Sequence, residues 1–410
     1  MNYKYINKDK IWYMLGSICN AASSALLFIV VTRISGINNA GLFSIAFAFA
    51  QQLLIIGRFE VRSYQITDVK NNYSFSDYFT HRVLFCTMMM AGSIIFILIK
   101  GYSSEKFWII LLLCCYKCTE AFSDVFQGFF QKENLLKYTG ITMAVREIIF
   151  IGSFTVSLII NHSLIIACLV GLIFSIIWIF IFDIRKSKMK VRYQFNQSLE
   201  RIVSMTLACF PIFLSVFANI FIINLPKYTI DQYMENNIQS YYNMLFLPTS
   251  LINLFSMMIF FPMMTELANL WYSNARVKFA LKVRNAVIWI IGLSVLILIG
   301  GYLIGIPMLT LIYNVNLSSY KQSFMILLIG GGFGAIVSLT NKLLVLLRKQ
   351  YFLIIAYIVV SIVTYSSAKK LILFYGIMGS AMLYLLSMCL LTIIMLGCVV
   401  ITIRKGRISK

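Results

Sequence analysis

Charged and amide side chains follow one face of the segment 113–131, LCCYKCTEAFSDVFQGFFQ, although most of its other residues are apolar. At the period of an α-helix, one arc of about 100° collects its polar residues and a glycine: Lys117, Glu120, Asp124, Gln127, Gly128 and Gln131. An ionic stripe on an otherwise apolar helix is expected to face a water-filled interior. The alternative is a structural stripe that neutralises itself, with Lys117 paired to Glu120 or to a neighbouring helix.

Other apolar runs are also interrupted by polar residues that could line the same interior: Asn20, Arg33, Arg146, Asn219, Asn224 and Lys227. A charge near the centre of a bilayer costs about 2.5–3.5 kcal/mol on insertion scales, so it usually pairs or faces a cavity. For Arg146 the alternative is a pair with Glu147 or snorkelling to the headgroups. For Asn20 and Asn219 it is hydrogen bonding between helices. With Lys117, Glu120, Asp124 and Gln127, these residues form the predicted translocation cavity.

Such a lining favours a large anionic substrate. The cations can hold phosphate groups, while asparagine, glutamine, serine and tyrosine side chains can bind sugar hydroxyls. Glu120 and Asp124 would repel an anion unless they are paired or protonated. Both are therefore candidates for proton or cation coupling of transport.

The composition excludes an ordinary soluble domain. Apolar residues make up 60% of the chain, the mean hydropathy is +0.86, and only 12% of the residues are charged, against about 25% in soluble domains. The net charge of +21 lies mainly in short segments between apolar runs, which is the pattern that orients membrane helices rather than a nucleic-acid surface. Cys114, Cys115 and Cys118 lie in an apolar run and are interpreted as small hydrophobic side chains. No metal site and no cofactor are predicted.

Windows of about 20 apolar residues predict an all-α, polytopic membrane protein with twelve spans: 11–32, 41–57, 83–99, 107–127, 141–160, 164–182, 202–223, 241–263, 286–306, 321–347, 351–368 and 375–403. Lysine and arginine accumulate in alternate connectors, which places both termini in the cytoplasm. The basic segment 184–201 divides the chain into two predicted six-helix bundles, 1–183 and 202–410. Because every connector is short, the function is expected to reside between the helices.

Several stretches carry patterns that occur together in one group of transporters. The runs 20–48 and 57–82 read NAASSALLFIVVTRISGINNAGLFSIAFA and GRFEVRSYQITDVKNNYSFSDYFTHR, and 124–147 reads DVFQGFFQKENLLKYTGITMAVRE. An Asn-x-Pro-Lys-Tyr element stands at 224–228 within 211–234, and 241–268 follows it. Together these stretches resemble bacterial polysaccharide flippases of the Wzx type, in the multidrug/oligosaccharidyl-lipid/polysaccharide (MOP) exporter superfamily.

The resemblance implies a MATE-like architecture, in which two helical bundles surround a central cationic cavity and work by alternating access. It implies a substrate as well, the undecaprenyl-diphosphate-linked oligosaccharide repeat unit, moved from the inner to the outer leaflet of the bacterial plasma membrane for O-antigen or capsule assembly. The expected partners are this lipid, membrane lipids and other polysaccharide-assembly membrane proteins. Nucleic acid and enzymatic activity are not expected.

Within the resemblance, the segment 58–82 follows the second helix and is interpreted as a cytoplasmic gate. Its charged residues are Arg58, Glu60, Arg62, Asp68 and Arg82. The alternative is a solvated basic loop that only fixes topology.

Three other functions stay open. A small-molecule or drug exporter could use the same fold. A membrane-embedded polysaccharide polymerase or glycosyltransferase commonly needs a larger external loop than any connector here. A passive scaffold would leave the stripe on 113–131 without a role.

Overall fold

The computed structural model describes residues 3–68, 72–188, 198–260 and 263–408. This described part is built from helices and contains no strand. The α-helices are α1 Tyr3–Arg58, α2 Val61–Thr67, α3 Phe75–Lys100, α4 Ser104–Lys132, α5 Leu136–Asn161, α6 Leu164–Trp178, α7 Arg185–Lys188, α8 Leu199–Tyr233, α9 Asn236–Phe246, α10 Thr249–Phe260, α11 Met263–Tyr272, α12 Arg276–Gly300, α13 Ile306–Tyr313, α14 Lys321–Leu346 and α15 Gln350–Ile408. Two π-helical turns, Ile179–Ile184 and Gly301–Gly305, and one 3₁₀ turn, Ser318–Tyr320, complete the described elements.

Eight helices in the described residues are long and apolar enough to cross a membrane. The predicted spans all fall on helices, with 241–263 divided between α9 and α10 and its residues 261 and 262 outside the described part. The prediction of an all-helical, multi-pass membrane protein is confirmed.

The first two predicted spans share α1, which is broken at Gly36. This residue has φ 82° and ψ 176°, a conformation that glycine adopts without steric cost. Asn20 Nδ2 and Arg58 NH2 lie 3.3 and 2.7 Å from the same oxygen, Glu120 Oε1. In a straight helix these two residues would stand about 57 Å apart. The chain therefore reverses at Gly36, and α1 is an antiparallel helix pair.

The last two predicted spans share α15, which is broken in the same way at Gly376, where φ is 57°. Neighbouring residues of α14 contact both arms of α15. Asn341 Nδ2 donates to Tyr357 Oη at 3.1 Å, and Thr340 Oγ1 lies 3.7 Å from Met395 Sδ. The helix α15 is thus a second antiparallel pair.

The chain divides into two compact units, Met1–Phe217 and Ala218–Lys410. In the first, α4 packs against α1, α3, α5 and α6; in the second, α14 packs against α10, α12 and α15. Each unit is thus built around one central helix. Residues 189–197 of the predicted connector 184–201 lie outside the described part, so the two six-helix bundles stay a prediction.

Two predicted connectors need correction because they are helical. The helix α3 begins at Phe75 rather than near 83, because Ser74 and Asp77 form a capping box that starts it. Arg82 is therefore a helical residue. Similarly, α8 continues to Tyr233, so Lys227 lies inside a helix rather than in an outer connector. Polar residues lower the hydropathy of a window without ending the helix that contains them.

Candidate functional site

Three arginines from three different helices converge on Asp124 of α4. Arg82 NH2 lies 2.8 Å from Asp124 Oδ2, and Arg62 NH1 lies 3.2 Å from Oδ1. Arg58 Nε is 3.9 Å from the same Oδ1. The carboxylate is 4% exposed, so each contact forms with little competition from water. Asp124 thus joins α1, α2 and α3 to the central helix.

Two glycines allow this convergence. A Cβ at Gly128 would lie 2.1 Å from Oε1 and 2.9 Å from Cδ of Gln65 in α2, so the glycine leaves room on α4 for the Gln65 amide. From that position Arg62 also donates to Gln127 Oε1 at 2.8 Å. Gly57 of α1 has a similar role, since its carbonyl accepts Arg82 NH1 at 2.8 Å and a Cβ there would lie 3.0 Å from Ala121.

A second cluster surrounds Glu120, one turn before Asp124. Lys117 Nζ lies 2.6 Å from Glu120 Oε2, and Arg58 NH2 lies 2.7 Å from Oε1. The Lys117 ammonium also stands 4.7 Å from the ring centroid of Phe47, within cation–π distance. The internal pairing considered as an alternative for the stripe therefore does form. Arg58 links this cluster to Asp124.

A third cluster is centred on Glu147 of α5. Arg146 NH2 donates to Glu147 Oε1 at 3.0 Å, and Tyr116 Oη donates to Oε2 at 2.7 Å. Asn20 Nδ2 reaches both Glu147 and Glu120. Arg146 is fully buried, and its Nε and NH1 have no hydrogen-bond partner among the described residues. Two of its donor groups are therefore left for a ligand or water.

The three clusters form one network that carries more positive than negative charge. Its cations are Arg58, Arg62, Arg82, Lys117 and Arg146, and its paired carboxylates are Glu120, Asp124 and Glu147. Nearby, Glu60 follows α1, and burial raises its pKa despite the adjacent Arg58. An excess of guanidinium and ammonium groups attracts anions.

Residues predicted for the cavity and residues predicted for the gate share this network. Lys117, Glu120, Asp124, Gln127 and Arg146 are all buried rather than open to water. The accessible charges belong to two residues assigned to the gate, Arg58 and Arg62, whose side chains are 26% and 18% exposed. The physical reason is desolvation, because buried ions need partners close by and the arginines supply them.

Asp68 was also predicted to belong to the gate, but its partners lie outside the network around α4. It accepts the backbone N–H groups of Asn72 and Tyr73 at 3.0 and 3.1 Å and the Tyr78 hydroxyl at 3.0 Å. Lys132 Nζ lies 3.8 Å away. Burial alone would raise the pKa of Asp68, but these hydrogen bonds outweigh it and hold the pKa below its usual value. Asp68 therefore holds the turn between α2 and α3.

The remaining predicted residues lie elsewhere. Arg33 is exposed on α1, close to the break at Gly36. In the second unit, Asn224 and Lys227 are buried on α8. Asn219, on the same helix, lines a cavity of about 190 Å³. The residues predicted to line one cavity therefore do not form a single cluster, and only some of them belong to the network around α4.

Sequence reasoning missed Asp183, a fully buried carboxylate in the π-helical turn Ile179–Ile184. It accepts hydrogen bonds from Ser123 Oγ at 2.6 Å and from Thr142 Oγ1. Ser123 in turn accepts Gln127 Nε2 at 3.2 Å, which connects Asp183 to the network. The sequence does contain a signal for it, because Asp183 is the first charged residue after the uncharged run 164–182.

The sequence matches no protein-family model and no curated protein. Solved structures match it over nearly its whole length. One is the lipid II flippase MurJ in an inward closed conformation, with a TM-score of 0.74 and 16% identity over 97% of this chain and 90% of that one. The chain therefore shares the fold of this structure.

Two further structures share this fold. An inward-facing multidrug resistance MATE transporter of the MOP superfamily has a TM-score of 0.72 and 13% identity, covering 97% of this chain and 99% of that one. A MOP superfamily transporter from Pyrococcus furiosus, described as having a binding pocket of reverse polarity, has a TM-score of 0.61 and 12% identity over 97% and 94% of the two chains. At these identities the likeness establishes the fold and leaves the substrate open.

Proposed function

We propose that this protein is a flippase that moves undecaprenyl-diphosphate-linked oligosaccharide repeat units from the inner to the outer leaflet of the bacterial plasma membrane. The product would serve O-antigen or capsule assembly. The TM-scores to a lipid II flippase and to a multidrug transporter are nearly equal, at 0.74 and 0.72. They support transport but do not choose between the two substrate classes.

The charge of the network around α4 favours the anionic lipid. The network has five cations against three ion-paired carboxylates and the hydrogen-bonded Asp183, whereas a carrier of cationic drugs would need an excess of acidic groups. This positive excess is the observation that carries the proposal. It also separates the proposal from a drug exporter on the same fold.

In this mechanism Arg58 and Arg62 bind the diphosphate. Their guanidinium groups are partly exposed and offer paired N–H donors that match phosphate oxygens. Glu120 and Asp124 hold these groups in position and lower the net positive charge, so the anion can leave again. The polyprenyl tail stays in the bilayer, both termini face the cytoplasm, and alternating access exposes the head group outside.

Reconstituted vesicles test the proposal directly. A fluorescent undecaprenyl-diphosphate oligosaccharide is placed in the membrane, and a membrane-impermeant quencher reports the fraction that reaches the outer leaflet. Replacing both Arg58 and Arg62 with alanine should slow flipping at least about tenfold, because each charge-assisted hydrogen bond contributes about 1.5–3 kcal/mol. Arg284→Ala, which removes an exposed arginine from α12, should flip at the wild-type rate.

Two results would contradict the proposal. One is a wild-type protein that exports small cationic dyes but leaves the lipid in its original leaflet. The other is an Arg58→Ala/Arg62→Ala variant that flips the lipid as fast as Arg284→Ala does. A deletion strain offers an independent check, because lipid-linked units should then accumulate on the inner leaflet.

The proposal extends to coupling. Glu120 and Asp124 are ionisable residues at the centre of the network, and intramembrane carboxylates commonly carry protons in transporters. If flipping depends on a proton gradient, the double variant Glu120→Gln/Asp124→Asn should lose that dependence. An unchanged dependence would exclude both residues from coupling.

A further inference from the structure

The second unit contains a small polar cavity between α8, α10, α14 and α15, with a volume of about 190 Å³. Its polar lining consists of amides and hydroxyls: Asn219, Thr249, Ser250, Asn253, Ser338, Asn341, Tyr357 and Tyr384. Among the described residues, no acidic or basic side chain lines it. Pockets for drug-sized ligands usually measure about 300–1,000 Å³, so this cavity suits one ring of a ligand rather than a whole oligosaccharide.

The cavity offers hydrogen-bonding groups that the protein does not use. Asn253 Oδ1 is buried and has no partner among the described residues. Asn341 Nδ2 donates to Tyr357 Oη at 3.1 Å, and its carbonyl oxygen has no hydrogen bond with a described residue. An amide provides both donors and acceptors, and so does a hydroxyl. The pattern therefore suits a ligand rich in hydroxyl groups.

Glycines on α14 keep the cavity open. A Cβ at Gly334 would lie 3.3 Å from Tyr384 Oη and 3.5 Å from Met388 Sδ, both of which line the same space. A Cβ at Gly331 would lie 3.1 Å from Thr249 Cβ. Any side chain at Gly334 would take up volume that a ligand could occupy.

A lysine stands beside this uncharged site. Lys227 lies one helical turn beyond Ile223, which lines the cavity, and its Nζ is 5.0 Å from the ring centroid of Phe246, another lining residue. The lysine is 8% exposed and forms no ion pair with a described residue. A buried ammonium without a carboxylate is costly, and an anionic group on a ligand would relieve that cost.

We propose that this cavity binds one sugar ring of the lipid-linked oligosaccharide, and that Lys227 recognises a carboxylate on that sugar. The inference rests on the proposed flippase function and adds to it a sugar site in the second unit. In this arrangement the diphosphate and the sugar are recognised by separate groups. The network around α4 binds any undecaprenyl diphosphate, whereas the cavity selects the glycan.

Three lipids in vesicles test this division: undecaprenyl diphosphate, the same lipid carrying a neutral hexose, and the same lipid carrying a hexuronic acid. Asn219→Ala/Asn253→Ala should slow flipping of both glycosylated lipids about tenfold, because the sugar hydroxyls then lose their amide partners. The sugar-free lipid should still flip at the wild-type rate. Gly334→Ala should act in the same direction by filling the cavity while keeping every polar group. Asn285→Ala, at an exposed position of α12, is the matched control.

Lys227→Met tests the acidic group. It should remove the preference for hexuronic acid over neutral hexose and leave the neutral lipid unaffected. Thermal unfolding midpoints identify any variant that fails to fold. If the double asparagine variant fails to fold, the flipping rates of Gly334→Ala decide the test. Equal slowing of all three lipids by the cavity variants, or no slowing at all, would overturn the sugar site, and an unchanged acid preference in Lys227→Met would overturn the carboxylate assignment. If the wild type moves none of the three lipids, the proposed function itself is wrong.

Discussion

The two units differ in the kind of polar side chain that they bury around their central helices. Around α4, ionised side chains are buried, and Glu120, Asp124 and Glu147 each have a cationic partner within 3.0 Å. Around α14, the cavity is lined by neutral amides and hydroxyls, and some of these groups have no partner. An unpaired amide is less costly to bury than an unpaired ion. Most of the buried charges are therefore paired, and the spare hydrogen-bonding capacity lies mainly in neutral groups, with Lys227 and two donor groups of Arg146 as exceptions.

The largest expected effect follows from breaking the network. Asp124→Ala leaves Arg82, which is 1% exposed, without its carboxylate, and removing one partner of a buried ion pair costs about 3–5 kcal/mol. The unfolding midpoint of the detergent-solubilised protein should fall accordingly. Adding Arg82→Met should recover part of the loss, since the unpaired charge is then gone. Losses that simply add in the double variant would show that the pair is not coupled.

The contact between α2 and α4 should be the next most sensitive. Gly128→Ala places a methyl group against the buried amide of Gln65, which must then move. We expect this overpacking to cost about 1–3 kcal/mol and to displace the neighbouring Arg62 from Asp124. Both the unfolding midpoint and the flipping rate should fall. Gly152→Ala is the control, because nothing lies within 4 Å of a Cβ there; a helical alanine should stabilise by about 0.5–1 kcal/mol. A Gly128→Ala variant as stable as Gly152→Ala would contradict this packing.

A smaller effect is expected at Asp68, outside the network. Its hydrogen bonds lower its pKa, so the ionised carboxylate stabilises the folded state at neutral pH, and this contribution is lost as the pH falls through the folded-state pKa. Asp68→Asn should reduce stability at pH 7 by about 1–2 kcal/mol. The difference from wild type should shrink below about pH 4. Unfolding midpoints measured over a pH series would show whether it does.

The smallest effect should come from the cavity in the second unit. Asn253→Ala removes a side chain whose carbonyl oxygen has no partner, so stability should change by less than about 0.5 kcal/mol. A loss approaching that of Asp124→Ala would mean that the amide supports the fold. The contrast between the two units would then be lost.

The sequence was sufficient for the helices and for the position of the ionic stripe. Hydropathy alone located the spans, and helical periodicity grouped Lys117, Glu120 and Asp124 on one face. The partners of these residues could not be predicted, because they depend on the reversal at Gly36 and on the approach of α2 at Gly128. Both are tertiary features with no periodic signal.

The cavity in the second unit was found only in part. Asn219, which lines the cavity, and Lys227, which lies beside it, were predicted from their polarity near an apolar run. Asn253 and Asn341 had no local signal, since a single amide in a helix is more often a packing contact between helices. Their convergence depends on how α8, α10 and α14 pack. No sequence pattern encodes that packing.

The two hydrogen bonds to one oxygen of Glu120 limit how the helices around it can move. One carboxylate oxygen receives hydrogen bonds from both arms of α1, through Asn20 before the break and Arg58 at the end of the second arm. Neither arm can slide along α4 without giving up its bond to that oxygen. The ionised acid therefore favours joint movement of the hairpin and the central helix, and a proton on Glu120 would weaken its hold on both arms together.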